Sequence, residues 1–137
     1  RNVKESGVNI TIHAGEGDGV NSIIDALKNG AMRIGHGVRI IEDIQDNIIG
    51  PTASKIIDLQ IPLEICITSN IHTNMYKNYE AHPVKRLIDY GFNVYLNTDN
   101  RLMSDTTISK EIEIAKSLGI SDTEKLLEHS TSDSFFN

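Results

Sequence analysis

At 137 residues, 39% apolar and 23% charged, the chain suits one soluble globular domain and is too short for two. A net charge of -6 argues against nucleic acid or an anionic membrane as the main partner, and no apolar run approaches the roughly 20 residues of a transmembrane helix. Cys66 is the single cysteine, which excludes an internal disulfide and a cysteine-rich zinc site. With no signal peptide ahead of the first strand, the expected compartment is the cytoplasm. The sequence opens on Arg1 and enters a strand almost at once, as a piece of a longer chain would.

Val8-Asn9-Ile10-Thr11-Ile12 alternates and reads as a β-strand that runs into His13. Thr11 and His13 share one face, and Ile10 and Ile12 the other. Glu16 lies an odd number of positions beyond His13, so the two converge only if the chain bends at Ala14-Gly15. After the loop Gly17-Asp18-Gly19, Asp18 or Asn21 is the expected cap of a helix with the stripe Ile23, Ile24 and Leu27, ending at Gly30. A second strand, Met32-Arg33-Ile34, runs into Gly35-His36-Gly37.

Ile41, Ile44, Ile48 and Ile49 suggest a helix, Gly50-Pro51 interrupts it, and 53–59 reads as another helical piece. The third strand is read over 63–70, with Glu64, Cys66 and Thr68 on one face. Beyond a polar loop, Pro83 starts a helix through Val84, Leu87 and Ile88 that Gly91 ends. The fourth strand is read over 93–99, placing Tyr95, Asn97 and Asp99 on one face. The loop Asn100-Arg101-Leu102-Met103-Ser104 follows, then a helix with Ile108, Ile112, Ala115 and Leu118 that stops at Gly119. Ser121-Asp122-Thr123-Glu124 has the capping-box pattern for a last helix through Leu126 and Leu127, and Ser134-Phe135-Phe136-Asn137 is undefined. Alternating strands and helices imply an α/β fold with parallel strands.

Three of the four expected strands end in His13, His36 or Asp99, and in a parallel barrel all strand C-termini open on one face. Two histidines and a carboxylate suit zinc or iron. Such a metal lowers the pKa of bound water to about 7, and Glu16 beside it would give and take protons. Taken singly, each residue also has a bland reading: a strand-end His is commonly just hydrogen-bonded, an Asp caps a helix, and Glu64 is salt-bridged. His72, His82 and His129 read as loop or helix polar residues. No nucleophile elbow, Walker loop, dinucleotide fingerprint or Cys-x-x-Cys deaminase signature is present.

Thr11-Ile12-His13-Ala14-Gly15-Glu16, 33–37, Leu63-Glu64-Ile65-Cys66 with Thr68-Ser69-Asn70, and 96–99 together resemble the adenosine deaminase family, in order across almost the whole chain. That resemblance implies a zinc-dependent (β/α)8 barrel of the amidohydrolase kind, of which residues 1–137 would be the C-terminal half, strands five to eight, a single incomplete domain. It implies that His13 and Asp99 are zinc ligands, that Glu16 protonates purine N1 as hydroxide attacks C6, and that His36 orients the attacking water. Gly15 and Asn100 fall at the substrate. Where many members carry a second Asp, this chain has Asn100, whose amide donates to purine N7 at any pH. The family's His-x-His pair is missing, so further ligands are expected from an N-terminal half, and 137 residues alone should hold zinc weakly.

The partner implied is a purine nucleoside, and the reaction is adenosine plus water to inosine plus ammonia. The alternatives are a deaminase of adenine or another aminopurine, and a non-catalytic half-barrel that binds or assembles. A half-barrel has open edges and an uncovered inner face, so association with itself or with the missing half is expected.

Overall fold

A computed structural model describes residues 9–100, 103 and 105–127. In chain order it has β1 (Thr11–Ala14), α1 (Val20–Lys28), β2 (Arg33–His36), a 3-10 helix (Val38–Asp43), β3 (Ile44–Gln45), β4 (Ile48–Ile49), α2 (Pro51–Asp58), β5 (Leu63–Ile65), α3 (Ile67–His72), α4 (Val84–Asp89), β6 (Val94–Leu96) and α5 (Ile108–Ser117). Expectations for Arg1, Val8, Arg101, Leu102, Ser104, His129 and Ser134 to Asn137 lie outside the described residues.

Strands β1, β2, β5 and β6 pair in that order, all parallel, with His13 opposite Gly35 and Glu64 opposite both Gly35 and Tyr95. Alternation sorts their side chains into two environments. Ile34, Leu63, Ile65, Val94 and Leu96 are buried in one core with Ile23 and Ala26 of α1, Ala53 and Ile56 of α2, Val84 and Leu87 of α4, and Ala115 of α5. Each large aliphatic side chain so buried contributes about 1.5–3 kcal/mol. The other face is polar: Thr11 and His13 are exposed, Arg33 pairs with Glu64 at 3.0 Å, and the Arg33 guanidinium lies 5.9 Å from the Tyr95 ring centroid. Strands β1 and β6 are the sheet's two edges. No helix among the described residues is long and apolar enough to cross a membrane.

Several elements differ from the sequence expectation. The strand expected over 63–70 ends at Ile65, Cys66 caps the helix Ile67–His72, and so neither Cys66 nor Thr68 shares a strand face with Glu64. The cause is distant in sequence. The fully buried Glu111 carboxylate accepts from the N–H groups of Ile67 (2.9 Å) and Thr68 (3.3 Å) and from the hydroxyls of Thr68 and Thr106. Those are donors a helix start leaves unpaired, and each bond to the charged group contributes about 1.5–3 kcal/mol. The helix expected through Ile41 to Ile49 is instead a 3-10 helix followed by the β3–β4 hairpin. Asp46 and Asn47 turn that hairpin with φ of 51° and 61°, conformations these residue types tolerate.

The second strand runs on to His36, and the fourth narrows to Val94–Leu96. Neither Asp18 nor Asn21 caps α1, because Gly19 holds the N-cap position. The Ser22 hydroxyl closes that end instead, accepting from the Gly15 N–H at 2.9 Å and donating to the Gly19 carbonyl at 2.8 Å. Of the expected last helix, residues 125–127 are helical among those described.

Candidate active site

The chain bends after β1 as the Glu16 argument requires. Gly15 has φ 65°, and a Cβ there would lie 2.8 Å from Ile23 Cγ1, so only glycine fits the turn. The bend brings Glu16 Oε2 to 3.4 Å from His36 Nε2, and Asp99 Oδ2 lies 3.7 Å from the same nitrogen. Glu16, His36 and Asp99 thereby offer ligand atoms all within 4.8 Å of one another. His13 borders this group, its ring meeting that of His36 edge-on at 5.1 Å between centroids. A Cβ at Gly35 would fall 2.9 Å from His13 Nε2, so glycine on β2 is what lets the His13 imidazole lie against the neighbouring strand. Asn100 is exposed beside Asp99, and its Oδ1 accepts from the Met103 N–H at 3.3 Å.

Two of these residues sit in strained backbone. His36 has φ 64° and Asp99 φ 54°, a left-handed conformation uncommon outside glycine, although His and Asp tolerate it better than most. His36 is the last residue of β2, whereas Asp99, expected to end the fourth strand, lies three residues beyond the end of β6 at Leu96.

His36 is 2% exposed, and burial pulls its imidazole below the ordinary value. The Glu16 and Asp99 carboxylates oppose that shift, and His13 adds to it. Two residues of α3 hold the group from beneath. Ser69 Oγ donates to Asp99 Oδ2 at 3.0 Å, and Asn70 Nδ2 lies 3.4 Å from His36 Nδ1. Burial pushes the Cys66 thiol far up and keeps it inert.

The sequence reading did not single out Ser69, His82 or Glu111 for these roles, and it placed Asn70 on a strand. Glu111 did leave a signal: it lies one turn before Ala115, on the side of α5 that the structure buries, where an acid needs a reason.

The donor set fits a divalent metal. Carboxylate oxygens and imidazole are ligand types that zinc, iron or another borderline cation accepts; the atoms grouped within 4.8 Å are those of Glu16, His36 and Asp99, and His13 lies outside that group.

A family model described as Adenosine deaminase matches residues 1–134. Adenosine deaminase 1 of Streptomyces coelicolor is 46% identical over 117 residues, covering 81% of this chain and 30% of that protein. Among solved structures, an adenine deaminase from Arthrobacter aurescens superposes with a TM-score of 0.85 at 26% identity, covering 97% of this chain and 40% of that one. An N6-methyl-AMP deaminase from Arabidopsis thaliana does so with 0.77 at 28% identity, covering 98% of this chain and 38% of that one. The chain thus spans about a third of the length of its curated relatives, and its four parallel strands with their helices form part of a (β/α) barrel. On the family match and these identities, the chain belongs to the adenosine deaminase family.

Proposed function

We propose that this chain carries the C-terminal half of an adenosine deaminase site, converting adenosine and water to inosine and ammonia. The observation that carries the reading is the convergence of Glu16, His36 and Asp99 to within 4.8 Å at the ends of separate strands, with His13 against His36. His13 and Asp99 would hold a zinc ion together with ligands from outside these residues. When bound, such an ion supplies Lewis acidity that makes hydroxide available near neutral pH. Glu16, as the acid, gives its proton to purine N1 while the water oxygen adds at C6. His36 holds that water and offsets the charge developing on it. The C6–N bond then breaks: the amino group leaves as ammonia with one proton of the added water, the other proton restores Glu16, and the oxygen stays as the C6 carbonyl of inosine. Asn100 and Gly15 would face the purine, and residues 1–137 form a single incomplete domain. The open edges β1 and β6 would pair with the remaining strands of a barrel or, failing those, with a second copy.

A deaminase of adenine or of a purine nucleotide is the second reading, favoured by the likeness to the Arthrobacter and Arabidopsis structures. Turnover of adenosine, adenine and N6-methyl-AMP by the full polypeptide that carries this sequence separates them. Adenosine is expected to be deaminated fastest. Preference for either competitor would transfer the assignment, and no turnover of any of the three would end it.

A further inference from the structure

A chain of buried polar groups runs under the candidate site from a backbone amide to His36. The Val84 N–H donates to His82 Nδ1 at 3.1 Å, His82 Nε2 lies 3.0 Å from Asn70 Oδ1, and Asn70 Nδ2 lies 3.4 Å from His36 Nδ1. All three side chains are buried: Asn70 is 0% exposed, His36 2% and His82 5%.

The direction of every bond follows from the first. A backbone N–H can only donate, so His82 Nδ1 bears a lone pair. Burial lowers the His82 pKa to about 4, so at neutral pH the ring has one proton, and it is on Nε2. That proton goes to the Asn70 carbonyl oxygen, which turns the Asn70 amide nitrogen toward His36. His36 Nδ1 must then accept. The reverse orientation of Asn70 would set its NH2 against His82 Nε2–H, or move the His82 proton onto Nδ1 against the Val84 N–H. Either is a buried donor facing a donor, costing about 1–3 kcal/mol.

We propose that His82 and Asn70 are positioning residues that fix His36 as the tautomer protonated on Nε2. That hydrogen points at Glu16 and Asp99, where the reacting water would sit, so the relay sets which way His36 donates during turnover. Neither residue touches the candidate reacting atoms. The tautomer assignment stands on the hydrogen-bond geometry and the neutrality of buried His82, and its effect on rate rests on the deaminase reading above.

Imidazole-nitrogen NMR on the metal-loaded full polypeptide tests the tautomer directly, with no variant needed. His36 is expected to be bare at Nδ1 and protonated at Nε2, and His82 likewise. A proton on His36 Nδ1 in the unaltered protein overturns the proposal. His82→Leu removes the donor to Asn70, and should mix the His36 tautomers and lower kcat about 10–100-fold, with KM within about threefold. His82→Gln, whose amide can both accept from Val84 and donate to Asn70, should restore most of that loss. A His82→Leu protein with unchanged kcat and tautomer, or a folded His82→Gln protein as impaired as His82→Leu, would also overturn it. If the tautomer is as expected but none of the tested purines is deaminated, the functional assignment fails and the relay stands.

Discussion

The Glu16→Gln variant is expected to deaminate adenosine about 10²–10⁴-fold more slowly, with metal content and thermal stability unchanged. Gln keeps the shape of the side chain, and its carbonyl oxygen can still accept from His36 Nε2, which lies 3.4 Å from Glu16 Oε2. The Gly15 turn depends on the Ile23 contact and the Ser22 hydrogen bond rather than on the carboxylate, so the local fold persists. What Gln lacks is an acidic proton to give to the purine ring. Because the loss is in the chemical step, it should fall on kcat, with KM for adenosine little altered. A variant within threefold of the parent in kcat would remove Glu16 from the acid role.

The second large effect belongs to metal binding. Asp99→Asn in the full polypeptide should weaken metal affinity by at least about 100-fold and remove turnover with it. This substitution is informative because little else changes. Asn tolerates the φ of 54° at that position and can still accept from Ser69 Oγ, which donates to Asp99 Oδ2 at 3.0 Å. Loss of the negative charge is therefore isolated from loss of shape. Metal analysis after dialysis reads the result, and an Asp99→Asn protein that keeps one metal per chain would show that Asp99 is not a ligand.

Much of this site was legible because strand alternation and glycine punctuation are local signals. Thr11 to His13 shows which face His13 takes, and Gly15 marks the bend that carries Glu16 to His36. Other parts depend on partners far along the chain. Ile65 and Ile67 satisfy a strand pattern and a helix start equally well, and the choice is made by Glu111, 44 residues beyond Ile67. The Asp46-Asn47 turn was readable as a hairpin, but the isoleucines around it also fit helical spacing. His82 read as a loop histidine because its meaning lies in Val84 and Asn70, which only the folded chain sets on either side of it. The resemblance to the family supplied the roles proposed for His13, Glu16, His36 and Asp99, whereas Ser69, Asn70 and His82 emerged from the packing.

The central claim is a metal-dependent deaminase site of which this chain supplies one half. Removing metal from the full polypeptide with a chelator and then restoring zinc, while following conversion of adenosine to inosine, tests it most directly. Turnover should vanish on chelation and return as zinc approaches one ion per chain, whereas undiminished turnover by the metal-free protein would contradict the account.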